Sequence, residues 1–296
     1  MAGKVVGSVA ELWRFPVKSM GGERLDQAEL TARGIVGDRA HAILDVETGK
    51  VISASSVKLF PGLLDFHATY LEPPHAGRML PPVRIAFPDG ASVMSDAADV
   101  DARLSRWFRR AVTLARTAPE VIPNDQDHPD AVTVDPSGHR DRVGEQKLGS
   151  AAFTIEGLAS SLPEGSFFDL SPLSVLTTST LARLRELMPD AKCDVRRFRM
   201  NVIVATTESG FLENDWVGRE LALGATARLI VALPDPRCVM TTLAQGDLPR
   251  DSDILRTIAR HNMIQLGESG QYPCAGVYAV LGAPGSVRTG DSVMLG

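Results

Sequence analysis

The 296-residue sequence is poor in cysteine: it has three, Cys193, Cys238 and Cys274. An odd number at wide spacing supplies no disulfide framework and fits a reducing compartment. Long apolar runs are also missing. None approaches the ~20 residues that a transmembrane helix requires. The opening stretch MAGKVVGSVAELWRFPV lacks the uninterrupted apolar segment and small-residue cleavage site of a signal peptide. The expected location is therefore cytoplasmic, with no membrane association. Excess positive charge is absent as well: the formal net charge is −5. Binding to a phosphate backbone usually leaves a basic domain or stripe, so no nucleic-acid partner is expected. Lysine contributes only six of the 31 basic side chains. An anionic ligand would thus meet arginine, whose planar fork suits phosphate and carboxylate, and DVRRFRMN, Asp194 to Asn201, is the densest local cluster.

Several catalytic motifs are missing too. The Gly49-Lys50 pair has Leu44 where a phosphate-binding loop needs its first glycine, and Val51 where it needs Ser or Thr. No glycine-rich dinucleotide fingerprint opens a strand-to-helix turn. There is no CxxC pair, and the six histidines are scattered without the i, i+4 pairing of a zinc hydrolase.

What remains is an ordinary globular composition, 44% hydrophobic and 23% charged, with enough chain for two domains. The first hundred residues read mainly as strands. HAILDVETGKVISA and VRIAFPDGASVMS each place a turn signal, Glu47-Thr48-Gly49 and Pro88-Asp89-Gly90, between β-prone flanks, so each predicts a hairpin. The period then changes. Val100, Leu104, Trp107, Phe108 and Ala111 fall at helical spacing, with Asp at the start and Arg at the end. Residues 118–149 are polar and rich in Pro, Asp, His and Gly, and read as a domain junction. Asp125, Asp127 and Asp130 there have calcium-like spacing but lack the turn glycine of an EF-hand, so a solvated loop is the better reading. Beyond it, Thr177-Thr178 caps a helix through Leu181, Leu184 and Leu187 that ends before Pro189. DSDILRTIARHN predicts another helix, and FRMNVIVAT, RELALGATARLIVAL, CAGVYAVLG and SVMLG predict strands. The expected class is α+β, predominantly β and barrel-like.

Cys238 stands out locally. A free cysteine is often a buried small hydrophobe, and Cys193 and Cys274 are read that way. Cys238 instead lies in LPDPRCVMTT, on a turn constrained by Pro234 and Pro236, with Arg237 beside it to favour thiolate. From the residues alone it is a filler, a nucleophile, a sulfur carrier or a metal ligand.

The ending, with RRFRMNVIV, LPDPRCVMTT and GVYAVLGAPGSVRTGDSVML in that order, resembles the MOSC domain, named for the C-terminal region of molybdenum-cofactor sulfurases. The start, VAELWRFPVKSMGGERLDQAELTARGIVGDRAHAILD, resembles the β-barrel domain that precedes MOSC in the amidoxime-reducing family. The resemblance implies an N-terminal β-barrel-like domain over 1–117 and a MOSC β-barrel domain with a few helices over 118–296. It also implies a bound molybdenum cofactor, a pterin carrying a phosphate, with Cys238 as the metal ligand. Lys18, Ser19, Arg39, Arg199 and Asn201 match cofactor-holding positions. Arg237 goes with them, as do Asp169, Ser171, Thr177 and Thr178 from FFDLSPLSVLTT, and Tyr278 in the penultimate strand. A helix N-terminus at Thr178 would offer backbone N–H groups to an anion.

The implied activity is reduction of N-hydroxylated compounds (amidoximes, hydroxylamines) to amidines or amines. Electrons would come from a separate flavin, ferredoxin or cytochrome b5-type protein. The alternative is a sulfur or cofactor carrier using Cys238. Pyridoxal phosphate is associated with the family at large, yet this chain has no room for the large pyridoxal-phosphate domain of a full sulfurase. The stretch LAQGDLPRD, Leu243 to Asp251, departs from the family pattern on the side expected to meet substrate.

Overall fold

A computed structural model of the chain describes residues 3–55, 59–116, 153–155, 158–160, 166–267 and 270–296. The expected junction at 118–149, with Asp125, Asp127 and Asp130, lies outside the described residues. The protein is mostly β, with strands forming 39% and helices 18%.

Its centre is a closed seven-stranded barrel. Around it run Leu173–Thr177, Val202–Ala205, Lys4–Arg14, Ser292–Leu295, Glu220–Leu223, Ala227–Pro236 and Gln271–Ala283, and pairing of Leu173 with Ala279 and Val175 with Val277 closes the ring. Closure removes the open edges that strands otherwise leave exposed. Alternation explains the interior: Leu221 and Leu223, then Leu229 and Val231, point inward while Arg228 and Ile230 are partly exposed. Val9 and Leu12 are three residues apart and both fully inside, because the register shifts between Val9 and Glu11. A bulge adds the residue that re-aims the strand.

Lys4–Arg14 thus belongs to the barrel that the C-terminal strands build, although it opens the chain. Residues beyond it form a smaller unit. His67–Tyr70, Val83–Ala86 and Ser92–Met94 make one sheet, and His41–Asp45 pairs with Val112–Arg116. The core of this unit is aromatic: Phe60, Phe66, Phe87, Trp107 and Phe108 pack with ring centroids 5.0–5.7 Å apart.

The hairpin about Pro88-Asp89-Gly90 and the helix Val100–Phe108 form as the sequence predicts. So do the helices Thr178–Leu187, capped by Thr177, and Asp253–His261. The turn about Glu47-Thr48-Gly49 forms, but its flanks meet only through a bridge between Leu44 and Val51. The main partner of His41–Asp45 is instead Val112–Arg116, far along the chain. FRMNVIVAT is strand only from Val202; Phe198–Asn201 turns into it.

The two units meet along a seam. Val17 bridges to His41 and Gly21 to His67. From the barrel side, Leu243 packs with Ala54 and Leu64 of the smaller unit, with Val239 and Met240 against them. The Gly246 N–H donates to Asp65 Oδ1 at 2.7 Å.

Candidate active site in the seam between the units

The seam collects buried polar groups, which persist in a fold only when each finds a partner. Asp38 is its hub. Its Oδ1 accepts the Phe15 N–H at 2.6 Å and its Oδ2 accepts Asn201 Nδ2 at 2.9 Å, while Arg39 donates to the same Oδ2. Asn201 Oδ1 in turn accepts the Ser174 hydroxyl at 3.0 Å. The barrel strand ending at Arg14, the GDR turn and the strand beginning at Val202 are therefore locked by one carboxylate and one amide. Gly37 of that turn has φ +82°, and a Cβ there would come within 2.7 Å of the Tyr70 ring. Only glycine fits.

Three cations gather around this hub. Lys18 Nζ is paired with Asp169 at 2.5 Å and donates to the Phe167 carbonyl at 2.9 Å. Arg39 Nη2 donates to the Arg199 carbonyl at 3.0 Å. The Phe15 ring lies within cation–π reach of both Arg39 (4.7 Å) and Arg199 (4.3 Å). Arg199 is buried, with one hydrogen bond, Nη1 to the Met20 carbonyl at 2.6 Å. A guanidinium has five N–H donors, so most of those on Arg199 are uncommitted. Burial, with the neighbouring Arg39 charge, lowers Arg199 to about 9, which leaves it cationic at neutral pH.

Backbone strain marks the same residues. Four non-glycine residues among those described have positive φ: Ser19 (66°), Arg39 (45°), Arg199 (54°) and Arg109. Arg109 is an ordinary left-handed helix end. The other three are residues that the sequence singles out as cofactor-holding. Such conformations cost on the order of 1–3 kcal/mol each and cluster at functional sites.

The turn of Cys238 enters the seam from the strand Ala227–Pro236. Arg237 anchors it: Nε donates to the Ala275 carbonyl at 2.7 Å, Nη1 to the Phe198 carbonyl at 3.0 Å, and Nη2 pairs with Asp235 at 2.8 Å. The Arg237 side chain thus serves the fold of the turn. Cys238 itself is half-buried. Cys193 and Cys274 are buried, and burial pushes their thiols up to about 11 and about 12, which agrees with their reading as small hydrophobes. Asp235 is almost wholly inaccessible, and its Oδ1 lacks a hydrogen-bond partner. Burial raises it to about 7, against the pull of Arg237 and the Tyr278 hydroxyl. Tyr278 is raised by the same burial and by Asp235, and it also feels Asp169 and Arg39.

The remaining sequence-selected residues serve the scaffold. The Ser19 hydroxyl accepts the Ala54 N–H at 3.0 Å, and the Ser171 hydroxyl donates to the Ala279 carbonyl at 2.7 Å. Thr177 caps its helix at Thr180 N and donates to buried Glu213 at 2.6 Å. Thr178 accepts the Thr206 N–H at 2.9 Å, and Thr206 Oγ1 accepts from Ser179 N. The N–H groups of Ser179 and Thr180 at that helix start are thus satisfied within the protein.

Sequence reasoning missed Asp38 and Arg197. Asp38 lies inside the GDR motif, which was the available signal. Arg197, 1% exposed, donates to the carbonyls of Leu243 at 3.0 Å and Pro249 at 2.7 Å and so holds the segment after Cys238 in place. The cluster DVRRFRMN divides its labour: Arg196 faces Asp194 and Asp247, Arg197 holds that segment, and Arg199 enters the seam.

The residues fit a cofactor with an oxyanion arm, ring N–H groups and a thiophilic metal. Spare donors on Arg199 suit the first, the orphaned Asp235 Oδ1 the second, and half-exposed Cys238 the third.

Comparison with protein families gives the class. Residues 6–110 match the MOSC N-terminal beta barrel domain and residues 164–294 match the MOSC domain. The chain belongs to the MOSC family, with both domains in order. Its relatives include mitochondrial amidoxime reducing component 2 of Bos taurus, 26% identical over 97% of this chain and 83% of the relative. Mitochondrial amidoxime-reducing component 1 of Homo sapiens is 24% identical over 98% and 83%. Among solved structures, the YuaD protein from Bacillus subtilis aligns over 100% of this chain and 96% of its own at 12% identity and a TM-score of 0.39.

Proposed function

We propose that the protein is a molybdenum-cofactor-dependent reductase of N-hydroxylated compounds, converting amidoximes or hydroxylamines to amidines or amines. Cys238 would ligate the metal. The observation that carries this reading is the convergence of strained, cationic Arg39 and Arg199 with Asp38 and Asn201 on the seam that receives the Cys238 turn. Supporting it, two relatives that match almost the whole chain are named for amidoxime reduction.

When bound, the cofactor supplies two-electron chemistry at the N–O bond, with electrons delivered by a separate flavin, ferredoxin or cytochrome b5-type protein in the cytoplasm. The chain's own residues bind and orient. Lys18, Arg39 and Arg199 would neutralise the oxyanion arm, and Arg199 retains its positive charge at neutral pH because its pKa stays near 9. Asp235 would accept a ring N–H at Oδ1. Arg237 would hold the Cys238 turn rigid through its carbonyl anchors. Net reduction of an N–OH group consumes two electrons and two protons and releases water.

The test is turnover of a hydroxylamine or amidoxime with a chemically reduced dye as donor, using protein made in a cofactor-competent host. Wild type should turn over, and Cys238→Ala should be inactive with unchanged thermal stability. Full activity without the thiol would refute the ligand role. A mass gain on Cys238, without molybdenum, would point to a sulfur carrier instead.

A further inference from the structure

Gly37, Asp38 and Arg39 of the GDR turn also line a cavity of about 410 Å³. That is within the range of small-molecule sites, about 300–1,000 Å³. Its wall is apolar in part, through Ile35, Val36, Leu80 and Phe168, and four arginines reach it: Arg33, Arg39, Arg78 and Arg116. Asp38 is the one carboxylate among the described lining residues. Its oxygens already serve Phe15, Asn201 and Arg39. Arg78 and Arg116 therefore bring positive charge to the cavity that no other carboxylate among the described lining residues offsets. Two further observations point to an occupant. Ser166 lines the cavity, is 2% exposed, and its hydroxyl has no hydrogen-bond partner. A buried hydroxyl left unpaired costs about 1–3 kcal/mol, which a ligand oxygen would recover. Met79, also on the wall, is 83% exposed, an unusual position for so large an apolar side chain.

We propose that this cavity is a second binding site, for a small organic phosphomonoester with an apolar body. The phosphate sits among Arg78, Arg116 and the Ser166 hydroxyl, and the body lies against Leu80, Met79 and Phe168. The site does not depend on the proposed reductase function, but it shares a wall with the seam. Arg39 and Phe168 line the cavity, and Arg39 also stacks on Phe15 and bonds to Asp38 and the Arg199 carbonyl. An occupant would therefore touch a side chain that holds the cofactor cluster.

Phenyl phosphate is the probe, titrated calorimetrically into the full chain. It should bind saturably at one site outside the seam and at least about tenfold more tightly than inorganic phosphate, because only the former uses the apolar wall. Arg78→Glu, at an exposed position, should weaken it about tenfold or more, and Ser166→Ala several-fold. Arg106→Glu on the exposed face of the helix Val100–Phe108 makes the same charge change elsewhere and should leave binding intact. Lys18→Gln separates the two sites: binding that survives it but is lost in Arg78→Glu belongs to the cavity. Binding lost in Lys18→Gln and kept in Arg78→Glu, equal affinity for inorganic phosphate, or no saturable binding would each overturn the proposal. None of these results bears on whether molybdenum is bound at Cys238.

Discussion

The barrel interior and the seam are neighbours built on opposite rules. Inside the barrel, Leu12, Leu221, Leu229, Val231, Val277 and Val293 are buried with hardly an accessible atom and pack with other apolar side chains. In the seam, Lys18, Asp38, Arg199, Asn201 and Asp235 are also buried, strained backbone accompanies them, and donors on Arg199 and an oxygen of Asp235 are left over. Apolar burial stabilises by roughly 25 cal/mol per Å² with no geometric demand. Buried charge gains little net stability even when well paired. A chain able to build the first kind of interior retains the second for what it can bind.

The sharpest way to break that contrast is Asp38→Ala. It strands Arg39 and Asn201 in a buried site and should cost about 3–5 kcal/mol in chemical denaturation, with loss of bound cofactor beyond what the remaining fold explains. Leu229→Ala, in the barrel, should cost about 2–5 kcal/mol as a cavity yet leave cofactor content per folded molecule unchanged. If both variants lost cofactor in proportion to stability alone, the two regions would not be functionally distinct.

His41 probes the seam by pH. Burial, with the Arg116 charge, lowers its pKa from 6.5 to about 4, so the native state keeps it neutral while the unfolded chain protonates. Between these values the unfolded state binds more protons, and stability falls as the pH drops from 6.5 towards 4. The full effect is about 3 kcal/mol. Denaturation midpoints measured across that window should show this slope, and His41→Leu should flatten it. An unchanged slope in the variant would assign the acid sensitivity to other groups.

Local order was legible in the sequence where it depends on neighbours. The hairpin at Pro88-Asp89-Gly90 and the helices at 100–108, 178–187 and 253–261 follow from turn chemistry and 3.6-residue spacing. Placement of Lys4–Arg14 in the barrel was not legible, because its partners, such as Ala205 for Ser8, lie about two hundred residues away and are selected by packing. The site divides the same way. The run DVRRFRMN announces a basic cluster, but the turn of backbone at Arg199 decides which guanidinium enters the seam and which two brace loops. Asp38 passed unnoticed inside GDR because a carboxylate's hub role depends on partners, Phe15 and Asn201, contributed by two distant segments. Thr177 and Thr178 were drawn in by motif, whereas their hydroxyls tie a helix start to Glu213 and Thr206.

The central claim is that the Cys238 thiolate binds molybdenum in the seam. X-ray absorption at the molybdenum edge, on native protein and on Cys238→Ser purified from a cofactor-competent host, tests it directly. The account predicts stoichiometric molybdenum in the native protein and one fewer sulfur neighbour around the metal in the variant. Native protein without molybdenum, or an identical sulfur shell in both proteins, would contradict it.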